Sequence, residues 1–551
     1  LKPGIRARLQ SGKAYFCLLA SVDLVNFYIL WPLFRLLTTF LLQEIALPFI
    51  SLASTLTILS QHPFLVMLLL FELGIFLACL YGQCIYLIVG VVAIKMGITS
   101  LWVVLGSTWI KLKQLGWTPV PFFMVGLAVL GPGITVVYHT PLLGKLNWSM
   151  LLHYLMVEKS SMVLILGILY LFLLYILLSK VPRRSDWRQI IKLNLVGIFG
   201  VGICDAGILG LQFFIDHQGG QWSGVSIWLN LTLIQFSNQL ILGTMMVLNI
   251  SQLLPVSKSL QTTSIQSRYQ GLVVAVLLIL AGGAIGWESW LNVPDSGQRG
   301  AEIISHRGVS QQNGVQNSLP ALIRTAQIKP DYVETDLHET RDGQFVVLHD
   351  ENLQGLAGIK RAPYQLTLKQ LEKLHVREKG QTASLISADQ YLTMAQKKKQ
   401  RLLLEIKTTP HDSRGMLTHF CQHYQALILR NHWMVHSLDY RVIKDLKSEA
   451  PQIKVAYLLP YNVIYPIGLA DAYGVQYATL TREFVAWAHW QDKQVYAWTV
   501  SDPASVKKLL AFGVDGLVTD DVQRVRQAQK DYRRQNSSVR YLANYLGWPI
   551  W

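Results

Sequence analysis

A multi-span α-helical membrane domain followed by an eight-stranded parallel β/α barrel is the fold class this sequence predicts, on three observations. The 551 residues are 51% hydrophobic and only 15% charged, with 16 tryptophans, too apolar and too long for one soluble domain. Long apolar runs recur as far as Leu291. Beyond residue 300, short β-prone runs alternate with helical patterns over about 250 residues, the size and rhythm of a (β/α)8, or TIM, barrel.

Seven runs are each near the ~20 residues that a helix needs to cross a bilayer: 17–42, 64–94, 119–139, 160–178, 193–215, 225–250 and 272–291. Charge orients them. Lys2, Arg6, Arg8 and Lys13 precede the first run, and Lys95, Lys111 and Lys113 follow the second. Lys180, Arg183, Arg184, Arg188 and Lys192 follow the fourth, and Lys258 and Arg268 the sixth. The alternate connections hold only Lys145 and Lys159, so 14 basic residues face 2. This bias places the N-terminus in the cytoplasm, and seven crossings then put the C-terminal domain outside. The 98–110 stretch reads as an interfacial helix or half a hairpin.

Asp23, Arg35, Glu72 and Asp205, with Gln235, Asn238 and Gln239, are the polar groups at depth, read either as helix pairing or as a binding site. The first run is too long for a cleavable signal peptide and further spans follow it. Four of the five cysteines fall in predicted spans and Cys421 is alone in the C-terminal half, so no disulfide framework is implied. The formal charge of +16 divides into 18 Lys/Arg against 9 Asp/Glu up to residue 299 and 31 against 24 beyond it. Basic residues beside predicted spans point to anionic lipid or a polyanionic surface rather than nucleic acid.

The domains expected are therefore helical 1–291, a turn-rich linker 292–300, a barrel 301–530 and an aromatic tail 531–551. Its strands are expected at 302–305, 331–336, 344–349, 402–407, 432–436, 453–458, 494–499 and 514–518, with 475–480 a rival for the seventh place. On this reading His306, Glu334 with Asp336, His349, and Glu405 with Lys407 end the first four strands, and such strand ends converge on one rim. Glu334 and Asp336 are two apart and share a strand face. Three carboxylates suit one divalent ion, Mg²⁺ or Ca²⁺.

The order of motifs resembles the glycerophosphodiester phosphodiesterase family, in its bacterial branch with an N-terminal membrane domain. The matching segments are His306-Arg307-Gly308, Asn317-Ser318 with Ala321, Glu334-Thr335-Asp336, Arg341-Asp342-Gly343, Val346 through Asp350, Leu404-Glu405-Ile406-Lys407, Trp498-Thr499-Val500 and Gly513 through Gly516 with Thr519-Asp520. The resemblance implies metal-dependent release of glycerol phosphate from glycerophosphodiesters. It makes His306 and His349 the acid–base pair, Glu334, Asp336 and Glu405 the metal ligands, and Arg307 and Lys407 the phosphate-binding pair. Two departures stand out: Gln316 replaces the usual Glu before the Asn, and Lys329-Pro330 replaces a small residue before the second strand.

Other positions carry two readings each. Trp498 packs either on the substrate's glycerol or on the barrel; His436-Ser437 can hydrogen-bond at the rim; Asp350 orients His349 or closes a turn. His411, His419 and His423 resemble a metal set in composition, but His419 and His423, at helical spacing after a loop, are expected to face solvent. The expected substrates are deacylated phospholipid headgroups, lysophospholipid or a glycerol-phosphate polymer of the envelope, with membrane lipid as neighbour and no nucleic acid. A different class of function is a catalytically weak lipid- or polyanion-binding module coupled to a transporter or channel.

Overall fold

The computed structural model describes residues 3–44, 63–98, 100–115, 187–218, 223–253, 270–291, 293, 300–459, 468–534 and 538–545. They form two compact units, one helical and one a barrel.

In the helical unit, Pro3–Val25 runs through a π turn, Asn26–Leu30, into Trp31–Glu44. Helices Pro63–Lys95, Leu101–Leu115, Trp187–His217, Ser223–Leu253 and Gln270–Leu291 follow. Among the described residues four helices are long and apolar enough to cross a membrane, with a shorter apolar helix at Ala275–Trp290. The predicted spans 119–139 and 160–178 lie outside the described residues. Lipid gives helices no hydrophobic reason to associate, so packing and interhelical hydrogen bonds carry the contact. Asn26 and Gln83 exchange two amide bonds of 2.9 and 2.8 Å, and Asn194 and Asn249 two of 3.1 and 3.0 Å. Gln239 donates to Asp23 at 2.8 Å. Helix pairing thus accounts for Asp23. Helix Ser538–Tyr545 belongs to this unit, its Val539 amide donating to Asp216 at 3.1 Å.

The barrel unit contains eleven described strands: β1 Glu302–Ser305, β2 Tyr332–Glu339, β3 Phe345–Val347, β4 His375–Glu378, β5 Gln381–Ser384, β6 Leu402–Ile406, β7 Met434–Ser437, β8 Lys454–Leu459, β9 Ala472–Gln476, β10 Gln494–Trp498 and β11 Gly516–Thr519. Eight of them are parallel and closed, in the order β1, β2, β6, β7, β8, β9, β10, β11, with β1 pairing both β2 and β11. Side chains at the strand-to-helix junctions hold the first turns of the helices. Ser318, Ser387, Asp439, Thr481 and Asp502 each accept a backbone N–H of the helix that follows, satisfying donors that the helix itself cannot.

The strand count was reached differently from the expectation. Segment 344–349 is not the third barrel strand, because β3 runs antiparallel along the end of β2. The chain turns back through Thr340–Gly343, where Gly343 adopts φ 68° and donates to Thr340 O at 3.0 Å; a parallel neighbour would have needed a crossover of a dozen residues or more. The third barrel strand is β6. The rival segment supplies a strand of its own, β9, beginning at Ala472, and β10 is the seventh. The β4–β5 hairpin was not anticipated.

One buried apolar residue from each barrel strand fills the interior: Ile304, Tyr332, Leu403, Met434, Ala456, Ala472, Tyr496 and Val518. Side chains two apart in a strand share a face. The next layer toward the C-terminal ends is therefore His306, Glu334, Glu405, His436, Leu458, Gly474, Trp498 and Asp520. Sheet periodicity alone collects the chemistry at one end of the barrel.

Candidate active site

Seven of those eight residues, together with Arg307, His349 and Lys407, line one cavity of about 140 Å³. Arg307 follows β1 with φ 50° and Gly308 with φ 70°, both left-handed. A Cβ on Gly308 would also meet Tyr391 Oη at 2.5 Å, so the third position of His306-Arg307-Gly308 is closed to other side chains. This turn aims the Arg307 amide at Glu334 Oε2, 2.7 Å away.

The two predicted histidines reach the cavity by different routes. His306 directly follows β1, and its Nδ1 lies 2.8 Å from Asp520 Oδ1 beyond the end of β11. His349 comes from the loop after β3, its Nδ1 3.0 Å from Asp350 Oδ1 and its carbonyl 3.3 Å from His338 Nε2. An aspartate at Nδ1 fixes ring orientation and tautomer, leaving Nε2 for proton exchange. Burial holds the His338 imidazole down to about pKa 4, so it is neutral near pH 7.

The carboxylates divide into two settings. Glu334, Glu405 and His436, each nine-tenths or more buried, bring one ligand atom apiece within 4.8 Å of one another. Glu334 Oε1 and His436 Nε2 are 3.8 Å apart, and both lack a hydrogen-bond partner. Buried polar atoms left unpaired are costly, and a divalent ion between them would remove that cost. The donor set fits a metal. Asp336 lies beside this group in a different arrangement: Asn317 Nδ2 donates to it at 2.8 Å, and Lys407 Nζ stands 3.0 Å from it and 2.6 Å from Glu405. Burial opposes ionisation of Asp336, but Lys407, His349 and Arg307 outweigh it and hold the carboxyl well below the usual range.

Trp498 forms part of the cavity wall, beside Gly474. His411 stacks on Tyr364 and His423 pairs with Asp389 at 3.4 Å; with His419 they form no metal grouping among the described residues. His436, Asp520, Asn317 and Glu378 are the site residues for which sequence reasoning gave no role in holding the chemistry. For His436 and Asp520 the signal was present, as each stands two residues beyond an interior apolar position.

Residues 306–524 match the model of the glycerophosphoryl diester phosphodiesterase family, and residues 3–181 match that family's membrane domain. The chain belongs to the glycerophosphoryl diester phosphodiesterase family. As a member it is a phosphodiester hydrolase carried on a multi-span membrane domain. It is similar to a glycerophosphodiester phosphodiesterase of Caldanaerobacter subterraneus, 24% identical over 40% of this chain and 93% of the relative. A glycerophosphodiester phosphodiesterase of Arabidopsis thaliana is 26% identical over 45% and 76%. Among solved structures, an Oleispira antarctica phosphodiesterase in complex with the product sn-glycerol-3-phosphate has 20% identity and a TM-score of 0.37, covering 42% of this chain and 97% of that one.

Proposed function

We propose that the barrel hydrolyses glycerophosphodiesters with one divalent ion, His306 serving as base and His349 as acid. The arrangement of two aspartate-held histidines and a set of unpaired buried donors around one cavity carries this reading. Glu334, Asp336 and Glu405 would hold the ion, with His436 as a nitrogen donor; Mg²⁺ and Ca²⁺ suit the oxygens, and the imidazole adds Mn²⁺ as an ion to test. When bound, the ion supplies positive charge where negative charge develops on phosphate oxygens. Arg307 and Lys407 clamp the phosphate, and the face of Trp498 accepts the glycerol. His306 takes the proton of the attacking hydroxyl and His349 protonates the departing alkoxide; where the attacker is water the diester is hydrolysed directly, and where it is the substrate's own glycerol hydroxyl a cyclic phosphate forms that water then opens.

A product assay on glycerophosphodiesters, lysophospholipid and glycerol-phosphate polymer, with Mg²⁺, Ca²⁺, Mn²⁺ or chelator, tests reaction, substrate and metal together. Chelation is expected to abolish turnover, and Glu334→Gln or Glu405→Gln to weaken metal binding measured by calorimetry. Full activity in metal-free buffer overturns the metal's part. Binding of polymer or lipid with no turnover favours the binding-module reading instead.

The barrel is proposed to face the cell exterior, on the 14-to-2 basic bias and seven crossings, with envelope polymer held at the membrane as the favoured substrate. In a cysteine-free background, exposed Ser448→Cys should react in intact cells with a thiol reagent that cannot cross membranes. Protection of that site until the cells are broken places the barrel inside.

A further inference from the structure

Gln316 stands between Arg307 and an acidic side chain from a distant part of the barrel unit. Gln316 Oε1 accepts from Arg307 Nη1 at 2.7 Å, so the guanidinium rests on a neutral amide. Behind that amide, Glu378 at the end of β4 accepts twice: from the Gln316 backbone N–H at 2.9 Å through Oε2, and from Gln316 Nε2 at 3.2 Å through Oε1. A carboxylate only accepts, whereas an amide has one donating and one accepting end. Glu378 therefore dictates which way Gln316 faces, with the NH₂ toward itself and the oxygen toward Arg307. The hairpin is tied to the loop carrying Gln316 at a second point, where Gln381 Nε2 donates to Gln312 O at 2.6 Å.

We propose that Glu378 is a positioning residue for phosphate binding, acting on Arg307 through the oriented amide of Gln316. The physical consequence lies in charge. A carboxylate directly against Arg307 would spend part of the guanidinium's field, while an amide fixes the side chain and leaves its charge for the anion. The proposal rests on the assignment of Arg307 to phosphate.

The test is an exchange of the two groups. Glu378→Gln frees the Gln316 amide to present either end to Arg307. Gln316→Glu sets two carboxylates against each other at hydrogen-bonding distance. Each single variant is expected to raise KM, and the dissociation constant for sn-glycerol 3-phosphate, by roughly 10-fold, the scale of one hydrogen bond to a charged group, with kcat changed less. The double variant Q316E/E378Q keeps all three contacts, with donor and acceptor exchanged only between the two side chains, and should bind better than either single variant while staying weaker than wild type, because a carboxylate then lies against Arg307. Both substitutions are isosteric, and Tm of each variant reports folding separately. Single variants that bind as wild type does, or a double variant at least as impaired as the product of the singles, overturn the proposal. Wild-type protein that binds glycerol phosphate without turning over diester overturns the hydrolytic reading alone; absence of binding overturns both.

Discussion

Alanine at His306 or His349 is expected to lower turnover by about 10²–10⁴-fold, the range for loss of a positioned proton-transfer group, while metal affinity stays within a few-fold of wild type. The separation follows from geometry. Neither ring belongs to the set formed by Glu334, Glu405 and His436, and each commits Nδ1 to an aspartate at 2.8 or 3.0 Å. Each variant should lose one limb of the pH–rate profile, the acidic limb for the base and the alkaline limb for the acid, so the profiles assign the roles. Asp520→Asn should mimic part of the His306 effect by unsettling its tautomer. If both alanine variants instead lose metal with no separate effect on turnover, the histidines are ligands and the proposed mechanism fails.

Removing the buried lysine should produce the largest change in stability. Lys407 Nζ lies between Glu405 and Asp336, at 2.6 and 3.0 Å. Burial disfavours its charge, yet the two carboxylates overcome that and raise its pKa above the usual lysine value. Lys407→Met leaves two buried carboxylates without their cation, a loss of about 3–5 kcal/mol for broken buried pairs. A clear fall in the barrel's Tm is expected in chelator, partly recovered by saturating Mg²⁺, Ca²⁺ or Mn²⁺, since ligand bound to the folded state stabilises it. Turnover should stay low even with metal, because the phosphate has lost one of its two cationic side chains. A variant that melts with wild type in chelator shows that the lysine's charge is not needed to hold the carboxylates.

Much of the site was readable because strand periodicity is local. His306, Glu334 and Glu405 sit two residues beyond Ile304, Tyr332 and Leu403, which line the barrel interior, and such spacing is visible in the chain itself. The same rule applied to Met434 would have promoted His436 from a rim residue to a metal donor. It would also have placed Trp498 two beyond Tyr496, on the cavity wall. Other features are non-local. That 344–349 folds back on β2 depended on the tight turn at Gly343, a choice between hairpin and crossover that an apolar run does not settle. Glu378 is 62 residues from Gln316 and 71 from Arg307, on a short hairpin whose pattern, His375 through Glu378, alternates too briefly to mark it. Asn317 could be matched by motif, but its task of holding Asp336 through a left-handed backbone has no one-dimensional signature.

Barrel closure makes His306 depend on the last strand. β1 pairs with β11 from Glu302–Gly516 through Ser305–Thr519, and Asp520, next in line, orients His306 from 214 residues away. Arg307, Glu334, His349 and Glu405 all leave the ribosome long before it. A chain cut before β11 therefore lacks both the strand that closes on β1 and the carboxylate at His306 Nδ1. On the proposed roles such a truncated chain keeps Glu334 and Glu405 in its sequence yet leaves its base unoriented, so it should be hydrolytically silent.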